Sequence, residues 1–227
     1  MKIDLHSHTY YSHCGRDEPE KLILKMIEKG VEIFGICDHN YGIGDREEKY
    51  LKEIRHLQKK YAYKIKIFCG IEICTRPGLE PLEGKTFSEY DFCLIEDLDN
   101  PSSVMKGDII NYTKNFECPV GIAHTDLFKF IADNKLDCKK YLKELAEANI
   151  FWELNVNYDS IHKYREHEYL QKFFKSEFQQ NMVKETGLCV SIGFDGHRLE
   201  EYNIDRVEMA NRAVCLANIK NAVKLLV

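Results

Sequence analysis

Histidine and carboxylate side chains recur along this chain in short clusters: Asp4-Leu5-His6-Ser7-His8 with His13 a little beyond, Asp38-His39, Glu72, His124, Glu153-Leu154-Asn155 and Asp195-Gly196-His197. Imidazole nitrogen and carboxylate oxygen together suit Zn2+, Mn2+ or Fe better than the oxygen-preferring Mg2+ and Ca2+. His6 and His8 stand two apart, so on an extended strand their rings leave on the same face and could chelate one cation. Alone, such a pair is equally compatible with two structural histidines bonded to neighbouring loops. However, six of the nine histidines follow directly on apolar runs or lie just beyond them. Chance would rarely produce that recurrence, and it points to a metal cluster.

Those apolar runs are the elements that must position the donors. They are Lys2 to Leu5, Val31 to Cys37, Ile65 to Ile71, Tyr90 to Ile95, Val120 to Ala123, Ile150 to Leu154 and Leu188 to Phe194, each short enough for a buried strand. Helical stretches separate them. Pro19 and Gly30 bracket a helix over Lys21 to Lys29, and Asp45 can cap a charged helix through Lys60. Asp137 or Cys138 opens a helix to Asn149, and one long stretch from Glu166 to Glu185 stops at Gly187. Thr75 to Ser88, with Arg76-Pro77-Gly78 and Pro81, reads as a loop. Strand and helix in alternation imply a mostly parallel sheet covered by helices. The C-terminal ends of such strands share one face, where sequence-distant donors converge.

Taken in order, Asp4-Leu5-His6-Ser7-His8-Thr9, Gly35-Ile36-Cys37-Asp38-His39, Gly70-Ile71-Glu72, Gly121-Ile122-Ala123-His124 and Gly193-Phe194-Asp195-Gly196-His197-Arg198 resemble the polymerase and histidinol phosphatase (PHP) domain. His124-Thr125-Asp126-Leu127-Phe128 and Trp152-Glu153-Leu154-Asn155 are similar to its histidinol-phosphatase branch. The resemblance implies one domain over residues 1–227, an α/β fold built as a distorted seven-stranded (β/α)7 TIM-like barrel, and two or three divalent cations, Zn, Mn or Fe. It further implies His6, His8, Glu72 and Asp195 on a first cation, Glu72 and His124 on a second, and His13, His39 and His197 on a third. Glu72, Asp195 and His197 are then the expected catalytic residues. The family usually carries a histidine just after the fourth strand, whereas this chain reads Leu94-Ile95-Glu96-Asp97-Leu98-Asp99. A carboxylate there could substitute.

The chemistry implied is hydrolysis of a small phosphomonoester, histidinol phosphate being the specific expectation. A hydroxide bridging two cations would attack while the cations neutralise phosphoryl charge. Arg198 and the His162, Lys163 and Arg165 group are candidates for holding the phosphate. Two other functions compete: a nucleotide or nucleic-acid phosphodiesterase, and a degenerate metal-binding domain without turnover. The net charge of −5 and the lack of a basic, aromatic-interleaved segment weigh against nucleic acid. Nine cysteines without Cys-x-x-Cys spacing read as small buried hydrophobes in a reducing cytoplasm, and no run is long enough to span a membrane. Trp152 reads as core, Asp4 as a group orienting a ligand imidazole, Asp126 as that or a helix cap, and His56 and His167 as surface histidines.

Overall fold

The computed structural model describes residues 1–226. Seven strands, β1 (Ile3–Asp4), β2 (Ile33–His39), β3 (Lys66–Ile73), β4 (Phe92–Ile95), β5 (Val120–Ile122), β6 (Ile150–Asn155) and β7 (Val190–Gly193), lie side by side in chain order. Every neighbouring pair is parallel. The ring closes because the chain beyond β1 meets β7: Leu5 N–H donates to Ile192 O (2.8 Å), Asp195 N–H to His6 O (2.8 Å), and Ser7 bridges Gly196. This is the (β/α)7 TIM-like barrel expected of seven buried runs with helical crossovers between them.

Two apolar cores hold the barrel. Ile3, Leu5, Phe68, Phe92, Leu94 and Phe151 belong to a plug within it, and a larger cluster fills the space between strands and helices. Because strand side chains alternate, the plug residues predict what stands above them. Phe68 leads by steps of two through Gly70 to Glu72, Leu94 to Glu96, and Phe151 through Glu153 to Asn155. Each inward row therefore begins apolar and ends polar at the C-terminal rim.

The helices largely follow their sequence signals. Pro19 opens the helix Pro19–Glu28, and Gly30 follows it at φ 71°. Asp137 accepts the Lys140 N–H at the head of Cys138–Glu147, and Asp126 caps Leu127–Asp133 in the same way. The stretch from Glu166 to Glu185 is not one helix. Ser176 adopts an extended conformation and accepts the Gln179 N–H, dividing it into Glu168–Lys175 and Glu177–Thr186, as a serine that competes for backbone donors can do. Asp45 lies within a 3-10 turn, Gly44–Arg46, ahead of the helix Glu47–Tyr61. Trp152 is core: its indole donates to Thr125 O (2.9 Å) and its ring meets Phe128 and Phe173 edge-on. No helix among the described residues is long and apolar enough to cross a membrane, and all nine cysteines are free thiols.

Candidate metal centre

Four buried side chains meet at the C-terminal rim. His6 and His8 bring their Nε2 atoms to 3.1 Å. Asp195 Oδ1 lies 3.0 Å from His8 Nε2 and 3.6 Å from His6 Nε2. Glu72 offers Oε1 at 3.4 Å from His6 Nε2 and Oε2 at 3.4 Å from His8 Nε2. Ligands about 2.1 Å from a tetrahedral ion stand roughly 3.4 Å from one another. The observed spacings of 3.0–3.6 Å bracket that value; His6, His8 and Asp195 form one group of potential ligands, and Glu72 stands within 3.4 Å of both imidazoles.

Other residues decide which nitrogen each ring offers. Glu153 Oε1 lies 2.7 Å from His6 Nδ1, and a carboxylate can only accept, so the Nδ1 proton belongs to that bond and Nε2 faces the cluster. Ser12 Oγ donates to Asp38 Oδ1 (2.6 Å) and accepts the His39 N–H (2.9 Å). Its 3.1 Å contact with His8 Nδ1 therefore has the ring N–H as donor, which again turns Nε2 inward. Asp38 also accepts from Thr9 N, Thr9 Oγ1 and Ser12 N at 2.7, 2.6 and 3.0 Å, fastening the loop after β1. Asp4 does not orient a ring, contrary to the expectation above. Its Oδ1 accepts the His6 and Phe194 N–H groups, tying β1 to β7, and burial raises its carboxyl to about 7. Glycine is required at 193, where a Cβ would stand 2.0 Å from Glu153 Oε1 and 2.7 Å from His6 Cβ. His124 and Asp195 both carry positive φ, 26° and 56°, a strained conformation that recurs where side chains must be aimed.

Around this centre the remaining donors divide. His124 Nε2 lies 3.2 Å from Glu72 Oε1, and Glu96 completes a group with these two. Glu96 thus stands where the usual fourth-strand histidine is missing; Asp97 instead pairs with Arg76 (3.0 Å), and Asp99 is exposed. On the other flank His39 Nδ1 approaches Glu72 Oε2 to 2.9 Å, and the His197 ring stacks on His8 at 4.5 Å. His13 lies apart from these groups. It is exposed, 6.1 Å from the Tyr41 ring, and the next residue, Cys14, groups with His8 and His197.

Asp159 and His162 join from the loop after β6. His162 bonds Asp159 Oδ1 (2.7 Å) and approaches Asp195 Oδ2 (3.2 Å), while Asp159 Oδ2 lies 3.4 Å from His197 Nδ1. Arg198 is held by Ser160 Oγ (2.8 Å) and Glu201 (3.5 Å), whereas Lys163 and Arg165 are exposed. His167 is no bare surface histidine: it contacts Asn157 (3.2 Å), with its ring parallel to His124 at 6.4 Å. Asp159 stood in no motif, whereas Glu153 lies in the cluster that ends the sixth run and Glu96 is one of three acids after the fourth, and the step of two from Phe151 and from Leu94 reaches both.

So many charges in so little volume must compensate one another. Burial opposes a charged His6, but Glu153, Glu72 and Asp195 hold it well above its usual value. Burial, with His197 next, pushes His8 down to about 3. A cation bound there would displace the proton that His6 holds. His39, His197 and His124 rise against burial to about 11, 10 and 9, chiefly through Glu72, Asp195 and Glu72 respectively. Burial works against the charged forms of Glu72 and Asp195 too, yet the imidazoles, His6 foremost, hold both well below the ordinary carboxylate range. Burial and Glu72 raise Glu96.

The donor set fits divalent cations on a further count. Glu72 Oε2, His39 Nδ1, His197 Nδ1 and Asp159 Oδ2 are buried yet make no hydrogen bond, even where, as between His39 and Glu72, the atoms are close. Buried polar atoms left without a hydrogen bond are otherwise costly, and cations would satisfy them.

The sequence profile of the PHP domain matches residues 4–211. A Lactococcus lactis histidinol phosphate phosphatase, solved with zinc, L-histidinol and phosphate, is similar in fold with a TM-score of 0.63 and 17% identity, covering 97% of this chain and 95% of that one. A candidate histidinol phosphatase from Listeria monocytogenes is similar at a TM-score of 0.53 and 16% identity, covering 89% of this chain and 97% of that one. In sequence, an uncharacterized protein of Methanocaldococcus jannaschii is 32% identical over 88 residues, 34% of this chain. The match spans 47% of that relative's length.

Proposed function

Since the chain belongs to the PHP domain family, we propose that it is a metal-dependent phosphoesterase acting on a small phosphomonoester of the histidinol phosphate kind. One observation carries this most: His6, His8 and Asp195, all buried, group at ligand-to-ligand spacing, with buried Glu72 within 3.4 Å of both imidazoles. These four would hold a first cation. Glu72 would extend to a second with His124 and Glu96, and His39 and His197 would serve a third. Zinc, manganese or iron suits the nitrogen-rich set. Divalent cations so held supply Lewis acidity, lowering the pKa of bound water and neutralising phosphoryl charge.

The chain's own residues do the positioning. Glu153 and Ser12 fix the tautomers of His6 and His8. Arg198, steadied by Ser160 and Glu201, offers a guanidinium at the rim for phosphate oxygens. His162 is the group placed to hold a proton for the departing alkoxide. Burial disfavours its charge, but Asp159 and Asp195 raise it to about 9, so it is protonated at neutral pH. The Lactococcus neighbour's L-histidinol and phosphate support a small substrate, and the free cysteines support a reducing compartment.

Phosphate release by Zn2+- or Mn2+-loaded protein from a panel of phosphomonoesters including histidinol phosphate, beside single-stranded DNA, tests the proposal. Turnover of the small esters is expected. Cleavage of DNA in preference to them would replace it with a nuclease, and metal binding without any turnover would replace it with a non-catalytic domain.

A further inference from the structure

We infer that Cys14 is a thiolate ligand of the cation held by His39 and His197, a role that rests on the site being the metal centre described above. Cys14 is not isolated: its sulfur and a ligand nitrogen each of His8 and His197 lie within 4.8 Å of one another, and the His39 ring stands 4.6 Å from that of His8. Within this group His197 is 4% exposed, and its Nδ1 makes no hydrogen bond.

The loop is built to present the sulfur. Asp38 pins Thr9 and Ser12, Tyr10 N–H donates to Asp17 O (2.9 Å), and the chain folds back so tightly at Gly15 that a Cβ there would stand 2.2 Å from Thr9 O. In that turn His13 is exposed, while Cys14 is half-buried and groups with His8 and His197. Two imidazoles and one thiolate form a ligand set that zinc accepts with a fourth position left open. Sulfur biases that position toward soft cations and away from manganese. On binding, the thiol proton passes to solvent as the sulfur–metal bond forms.

Cobalt loading of the metal-free protein tests this without reference to activity. Wild type should develop the near-ultraviolet thiolate-to-cobalt charge-transfer band, which His13→Ala and Cys74→Ser should keep and Cys14→Ser should lose. After zinc loading and gel filtration Cys14→Ser should retain less zinc than wild type, and Cys14→His should recover the zinc without the band. A band absent from cobalt-bound wild type, or persisting in Cys14→Ser, overturns the role of Cys14 and leaves the phosphoesterase proposal standing. Failure of wild type to bind cobalt or zinc at all overturns both.

Discussion

Replacing Glu153 by glutamine probes how the site is aimed while leaving every proposed ligand in place. Glu153 is fully buried and its carboxylate accepts from His6 Nδ1 (2.7 Å), from the His124 N–H (2.8 Å) and from Asn155 Nδ2 (3.2 Å). Those bonds divide between its two oxygens: Oε1 serves His6, and Oε2 serves the other two. An amide has one oxygen and one donor nitrogen. If the amide oxygen faces His6, the NH2 meets the His124 N–H donor to donor, at a residue whose φ is already 26°. With the NH2 toward His6, Nδ1 must accept, and the ring proton moves to Nε2, where a cation would bind. Either way one charge-assisted hydrogen bond of about 1.5–3 kcal/mol is lost. At about 1.4 kcal/mol per decade, the affinity of the first cation should fall by roughly one to two decades, the range measured when partners of ligand histidines are removed. Competition with a chromophoric chelator at neutral pH measures the loss, circular dichroism checks the fold, and nitrogen NMR reports the His6 tautomer. Unchanged affinity in a folded Glu153→Gln protein would refute the orienting role.

Three further outcomes follow from the same geometry. Gly193→Ala drives a methyl into Glu153 and His6; overpacking of about 1–3 kcal/mol should lower the thermal midpoint by roughly 2–12 °C and weaken metal binding, and a midpoint within a degree of wild type would contradict the clash. In metal-free protein the raised His124, His197 and His39, at about 9, 10 and 11, contribute stability that is complete below about pH 6.5 and is lost as pH rises through those values. Glu72 and Asp195, held low, contribute stability present above about pH 4 and lost in acid. The cation displaces the imidazole protons, so the gap between loaded and metal-free midpoints should widen from neutral toward alkaline pH; thermal scans in which it narrows would count against cations at these imidazoles. Arg198→Ala should raise KM for a phosphomonoester by about tenfold, the worth of one charge-assisted bond, whereas Arg165→Ala, at an exposed position, should leave kcat/KM within about twofold; equal effects in steady-state kinetics would remove the distinction.

What could be read from the chain alone follows from where periodicity governs. Strands buried on both faces announce themselves as apolar runs, so all seven were visible, with donors at their ends. The step of two along a strand is equally strict. It connects Leu94 to Glu96 and singles out that carboxylate from Asp97, whose side chain turns to Arg76, although the bare sequence offered three acids within four residues. The division at Ser176 was hidden because both half-helices keep an apolar face and nothing but a serine marks the break.

Loops obey no such period, and there the choice of donor passes from sequence spacing to local hydrogen bonding. His13 and Cys14 are adjacent, and composition favours the imidazole as a ligand among so many others. Which of them turns inward is decided by Asp38, more than twenty residues away, gripping Thr9 and Ser12, and by the tight return of Gly15 onto Thr9. The same holds for Asp159 and His162, which reach His197 and Asp195 from a loop after β6. A donor on a strand is aimed by the strand, whereas a donor on a loop is aimed by whatever fastens the loop. It follows that Asp38, itself no candidate ligand, governs the part of the centre borne by the loop after β1, because releasing its four bonds to Thr9 and Ser12 frees that loop.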